Sequence, residues 1–129
     1  MPAADLDLFD RAILALLQQD NLMPQRLIAE QVNLSAPAVQ RRIKRLQETG
    51  VIAGNVAVLD PVRAGRSLTA VINVHLINDR PDLSRGFRAR IAAEAAVQQC
   101  FFVTGETDYI LVVTAADMDD YQAICQRLF

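Results

Sequence analysis

The sequence predicts an α+β protein of two parts: an N-terminal winged-type helix-turn-helix domain and a C-terminal ferredoxin-like α/β sandwich. Three observations predict it. In the first third, apolar residues recur at helical spacing and lead, through a short turn, into a helix with a basic front. After residue 67, strict alternation and four-residue spacing succeed one another in the order β-α-β-β-α. Between the two, Asp60-Pro61-Val62-Arg63-Ala64-Gly65-Arg66 holds proline and glycine without an apolar period, which marks a boundary. The domains are expected at 1–53 and 68–129, joined by a hairpin or linker over 54–67.

The elements follow in order. In 6–19, Leu6, Phe9, Ile13 and Leu17 recur at helical spacing, and Leu14 and Leu16 widen the stripe. Leu27, Ile28 and Val32 give a short second helix over 25–32. Asn33-Leu34-Ser35 then turns the chain into a helix over 36–48. Ser35 is its natural N-cap, because a hydroxyl can accept an otherwise unpaired N–H of the first turn. Pro37 sits within that turn, where its missing N–H costs little. Val39, Ile43 and Leu46 form one apolar stripe; Gln40, Arg41, Lys44 and Arg45 lie away from it, and Arg42 at its edge. Gly50 offers the C-terminal stop. At ~1.5 Å per residue the helix is about 20 Å long, enough to lie in a major groove. Val51-Ile52 and Val56-Ala57-Val58-Leu59 read as short extended segments.

In the second part, Leu68, Ala70, Ile72, Val74 and Leu76 alternate with more polar neighbours over 68–77, a strand with one strongly apolar face. Leu83, Phe87, Ile91 and Ala95 repeat every four residues, as a helix laid on a sheet does. A second strand over 97–103 leads into the turn-like Thr104-Gly105-Glu106-Thr107-Asp108, and Tyr109 to Thr114 reads as a third. Asp117 caps a last helix whose stripe is Tyr121, Ile124, Cys125 and Leu128. A split βαβ sandwich needs a fourth strand, yet Phe129 comes directly after this helix, so the domain reads as C-terminally incomplete.

Composition narrows the function classes. With 52% hydrophobic and 22% charged residues in 129, there is ample material for a core. No apolar run approaches the ~20 residues of a membrane span, and the N-terminus lacks a signal-peptide pattern; a soluble, cytoplasmic protein is expected. Cys100 and Cys125 stand in apolar segments and are expected as buried free thiols. His75 is the only histidine, which argues against a metal site. The net charge of −2 is unevenly spread. Residues 36–48 carry four bases against one acid, whereas 55–129 carry seven arginines against nine acids. A local basic patch on an acidic body suits specific docking on nucleic acid better than coating it by charge. Asp117, Asp119 and Asp120 read as favourable charge at a helix N-terminus, and Arg85, Arg88 and Arg90 as a solvated helix face.

Three motifs in order carry a resemblance to a known family: Leu6-Asp7…Asp10…Ile13-Leu14…Leu17-Gln18, then Leu34-Ser35…Val39…Arg42-Ile43…Leu46…Gly50-Val51-Ile52, then Gly105-Glu106-Thr107-Asp108-Tyr109 after a strand. Over essentially the whole chain, the sequence resembles the Lrp/AsnC (leucine-responsive, or feast/famine) transcriptional regulators. The resemblance implies a DNA-binding domain, a hairpin linker and an effector and oligomerisation domain. It also implies homodimers formed sheet to sheet, assembly as far as octamers, and an amino-acid effector bound near Gly105, Asp108 and Tyr109 where dimers meet. Asn73 and His75, on the polar side of their strand, would then line the dimer interface.

The loop chemistry fits such an effector. Backbone N–H groups around Gly105, unobstructed by a Cβ, can hold a carboxylate, and Glu106 or Asp108 can pair with an ammonium. The plainer alternative is a polar hairpin turn. On double-stranded DNA, Arg42, Arg45 and the turn at Ser35 would contact phosphates, while Ala36, Pro37, Gln40, Arg41 and Lys44 would face base edges. No catalytic residues, metal or cofactor beyond the effector are expected. Two alternatives stand beside this reading. One is an enzyme of similar architecture that decarboxylates sirohaem-type tetrapyrroles, in which Arg63 or Arg66 would bind a carboxylate; a single histidine makes it weak. The other is a pure assembly module whose helix-turn-helix only packs against a partner; for the basic helix itself, the plainer alternative is a solvated face of an ordinary small helical bundle.

Overall fold

Capping chemistry marks where the helices begin. In the computed structural model, which describes residues 5–77 and 80–129, helix α1 (Leu8–Gln19) starts at Asp7. The Asp7 carboxylate accepts the Asp10 N–H at 2.8 Å, and the Asp10 carboxylate accepts the Asp7 N–H at 3.3 Å, a reciprocal capping box. Helix α2 (Gln25–Val32) ends at Asn33, whose φ of 59° is the left-handed conformation that asparagine tolerates best after glycine. The chain thereby turns into α3 (Ala36–Glu48), where the Ser35 hydroxyl accepts the Ala38 N–H at 3.2 Å. Ile13, Ile28, Ala29, Val32 and Val39 are buried together, with Leu16, Leu17 and Ile43 packed at the edge.

The chain divides into two compact units between Ala57 and Val58. The hairpin expected within 54–67 is not formed. Residues 53–60 pair with no strand among the described residues, and Val56 and Val58 stand exposed. An extended segment becomes a strand only when its N–H and C=O groups find a ladder, and this one has none. A turn over 61–65 follows instead, with the Asp60 carboxylate accepting the N–H groups of Val62 and Arg63 at 3.0 and 3.2 Å.

The second unit is a three-stranded antiparallel sheet with two helices on one face. Strands β1 (Leu68–Val74), β2 (Val97–Phe102) and β3 (Tyr109–Ala115) are ordered β1-β3-β2, with helix α4 (Pro81–Ala93) between the first two and α5 (Met118–Leu128) last. This is the order of the first three strands of a split βαβ unit. Tyr109, Leu111, Val113 and Ala115 of β3 are buried with Phe87 and Ile91 of α4 and Ile124 and Leu128 of α5. On the opposite face Val71 pairs in register with Val112, and Phe101 with Ile110; Val71 and Phe101 remain well exposed. Helix α4 stops short of the expected Ala95, because Glu94 is extended and its carboxylate takes the Ala96 N–H and Arg127. The cysteines also depart from expectation. Cys100 is exposed and Cys125 only half-buried, since Cys100 lies on an outer strand that neither helix fully covers. No helix among the described residues is long and apolar enough to cross a membrane.

Candidate nucleic-acid interface and effector loop

Helix α3 turns its apolar back inward and its polar front outward. Val39 and Leu46 are buried and Ile43 is half-buried, whereas Ser35, Ala36, Pro37, Gln40, Arg41, Lys44 and Arg45 are exposed. Because residues four apart stack along a helix, the front comprises two adjacent rows: Ala36, Gln40, Lys44 and Pro37, Arg41, Arg45. The only nearby acid on this helix is Glu48, 4.0 Å from Lys44 with both groups exposed. Arg45 makes one long contact, at 3.4 Å, with the Asp5 carbonyl. These cations are therefore available to an incoming polyanion.

Arg42, expected at a phosphate, is paired within the chain instead. Its Nη1 donates to Asp7 Oδ2 at 2.7 Å and to Asp10 Oδ1 at 3.0 Å, and the guanidinium lies 5.3 Å from the Phe9 ring centre. The position at the edge of the apolar stripe turns the side chain back onto α1, away from the row that carries Arg41 and Arg45. Arg42 thus holds α3 against α1. The Asp10 N–H and then Arg42 hold the Asp7 carboxyl below its ordinary value of 3.8.

The predicted effector loop separates into an exposed tip and an anchored base. Gly105 has φ 115°, a conformation that only glycine adopts without strain, and it and Glu106 are exposed; Thr107 is half-buried. Asp108 ties the base: its N–H donates to the Val74 carbonyl at 2.9 Å, and its carboxylate accepts the Leu76 N–H at 2.8 Å. Tyr109 is 2% exposed. Its hydroxyl lies 3.0 Å from Ser84 Oγ and accepts from Arg88 Nε at 2.9 Å. Tyr109 is thus part of the framework under the loop, and a ligand reaches its neighbours before it reaches the ring.

Ser84 and Arg88 were missed in the sequence. They stand four apart on the face of α4 that also buries Phe87, a spacing that signals a shared face without naming its partner on β3. The expected solvated arginine face is exposed at Arg85, Arg88 and Arg90, but Arg90 Nε also donates to the Leu128 carbonyl at 3.2 Å. The acidic group opening α5 behaves as expected for a helix start. Asp117 caps the Asp120 N–H at 2.8 Å, and Asp120 accepts the Ala116 N–H at 2.9 Å. Arg66 is engaged by Thr114, through Nε to Oγ1 at 3.0 Å and through Nη2 to the carbonyl oxygen.

A basic, capped second helix of a helix-turn-helix, followed by a split βαβ unit with a glycine loop, defines a two-unit DNA-binding regulator. Residues 6–53 match the winged helix-turn-helix DNA-binding family, and residues 69–129 match the Lrp/AsnC ligand binding domain. The chain is 36% identical to the DNA-binding transcriptional activator DecR of Escherichia coli, over 95% of its own length and 81% of DecR. Several solved structures superpose with it. An AsnC family transcriptional regulator from Agrobacterium tumefaciens has a TM-score of 0.87 at 30% identity, covering 95% of this chain and 80% of that one. A transcriptional regulator from Neisseria meningitidis in complex with L-Met has a TM-score of 0.85 at 32% identity, covering 94% and 78%. The chain belongs to the Lrp/AsnC family and is a DNA-binding transcriptional regulator of that type.

Proposed function

We propose that α3 enters the major groove of an operator and that an amino acid bound at the loop 105–109 sets how strongly the assembled protein occupies it. The observation that carries this reading is the front of α3, a capped helix presenting Gln40, Arg41, Lys44 and Arg45 outward over a buried apolar back. Gln40 and Arg41, with Ala36, Pro37 and Lys44, face base edges, where Arg suits guanine and Gln suits adenine. Arg45 and the turn at Ser35 contact phosphates, and Arg42 positions the helix from behind.

The open sheet face is the dimer surface of this reading. Val71, Phe101, Ile110 and Val112 form a mostly apolar patch, with Asn73 and His75 exposed at its side. Two copies joined there offer two recognition helices to half-sites about one helical turn apart or a multiple of it, and dimers associate further, up to octamers. The exposed loop tip of one chain is completed by another copy where dimers meet, and no cofactor other than the effector is required. The L-Met complex of the Neisseria meningitidis relative supports an amino-acid effector. The protein works in the cytoplasm, alongside its operator. The tetrapyrrole decarboxylase alternative loses a carboxylate ligand, because Arg66 is already spent on Thr114.

Selection of bound duplexes from a random pool, followed by gel shifts, tests the reading. A roughly palindromic consensus that Arg41→Ala reads less selectively is expected. A variant with unchanged affinity and selectivity places the recognition surface elsewhere.

A further inference from the structure

Arg88 is fixed on one edge and open on the other. Its Nε donates to Tyr109 Oη at 2.9 Å, and its guanidinium carbon lies 5.6 Å from the ring centre of Phe102 and 5.9 Å from that of Tyr109. The tyrosine is a rigid support. Its ring packs at 5.3 Å on Phe87 and 5.4 Å on Phe102, and since its hydroxyl accepts from Arg88, its proton is free to go to Ser84 Oγ, 3.0 Å away. Among the described residues, no carboxylate lies within ion-pair distance of Arg88, in contrast to Arg42, Arg66 and Arg127. The terminal amino groups are left as a planar fork, backed by aromatic faces and held in one orientation. A fork of this kind matches a carboxylate bidentately, and the orientation cost of binding is already met by the protein.

The fork stands beside the effector loop. Phe102 is 68% exposed, offering apolar surface next to the guanidinium. The following residue, Val103, donates its N–H to the Asp108 carbonyl at 3.0 Å and so closes the loop at its neck. A cation facing solvent beside an exposed ring recognises a carboxylate whose carbon also bears an apolar side chain. We propose, resting on the reading of 105–109 as an amino-acid site, that Arg88 binds the α-carboxylate of the effector while Phe102 flanks its apolar side chain. Glu106, exposed at the loop tip, is left to face the ammonium.

Calorimetric titration of the full chain with the twenty standard L-amino acids comes first, and the tightest ligand is then compared with its carboxamide. Arg88→Met is expected to weaken the acid about 10- to 100-fold, the range for a lost charged hydrogen-bonded pair. The amide, which lacks the carboxylate charge, is expected to bind wild type and Arg88→Met alike. Arg88→Lys keeps the charge and loses the fork, so it falls between the two and serves if the methionine variant folds poorly. Equal binding of the acid by wild type and both variants, with thermal melts unchanged, overturns the proposal and leaves the effector site standing. Failure of wild type to bind any of the twenty overturns the effector reading itself, and the proposal with it.

Discussion

The side chains of Arg42 and Asp10, 32 residues apart in the chain, meet at 3.0 Å. The Asp10 side chain is 5% exposed, and the same guanidinium holds Asp7, the cap of α1, at 2.7 Å. A basic residue of α3 is therefore spent on fixing that helix to α1.

Arg42→Met removes the partner of a buried carboxylate and is expected to destabilise the first unit by about 1–3 kcal/mol. Urea unfolding measures the loss. The folded variant, assayed in the cold, keeps the salt dependence of DNA binding. A shallower salt slope would instead make Arg42 a phosphate contact.

Acid is expected to loosen the same contact. The folded pKa of Asp7 is depressed below 3.8 by the Asp10 N–H and Arg42. Its contribution is present above the ordinary value and is lost as pH falls through the lower folded value. Glu94, depressed below 4.5 first by Arg127 and then by the Ala96 N–H, behaves likewise in the second unit. Melting curves taken downward in pH through this range show the effect, and Asp7→Asn flattens the part that belongs to the first unit. An unchanged pH profile in Asp7→Asn would contradict the assignment.

The roles proposed for the front of α3, base-facing or phosphate-facing, are expected to separate by specificity. Arg41→Ala and Gln40→Ala each weaken operator binding by about 1–3 kcal/mol and relax sequence preference. Arg45→Ala weakens all sequences alike and lowers the salt slope by about 1. Competition gel shifts against a scrambled duplex distinguish the two classes, and a uniform loss in all three variants would remove the assigned roles.

The open sheet face predicts an assembly. Val112→Asp places a charge in the centre of the patch that includes Val71 and Ile110, and light scattering should show the mass falling to that of one chain. A variant that keeps the wild-type mass would show that the copies meet elsewhere.

What was legible in the sequence was local. Ser35 and Asp117 announce their helices because a cap acts within three residues, and β1 is visible because alternation is a property of adjacent positions. The partners of Arg42 and Arg88 were not visible. Each depends on which face of a helix meets an element far away in the chain, so both arginines looked solvated or DNA-facing. Tyr109 falls at the start of β3 as expected, but its burial is not legible for the same reason: the loop motif ends at it, and β3 turns its ring into the core beneath α4. The missing hairpin is the converse case, an apolar pattern over 56–59 without a strand to complete it.

Helix α3 is proposed to make this chain a sequence-specific DNA-binding regulator under amino-acid control. Fluorescence anisotropy of a labelled duplex from the region upstream of its own gene, with and without a mixed amino-acid pool, tests it most directly. The account predicts saturable binding that survives nonspecific competitor, weakens steeply with salt and shifts with the pool. Anisotropy that stays flat at every salt concentration, or binding that any competitor abolishes, would contradict it.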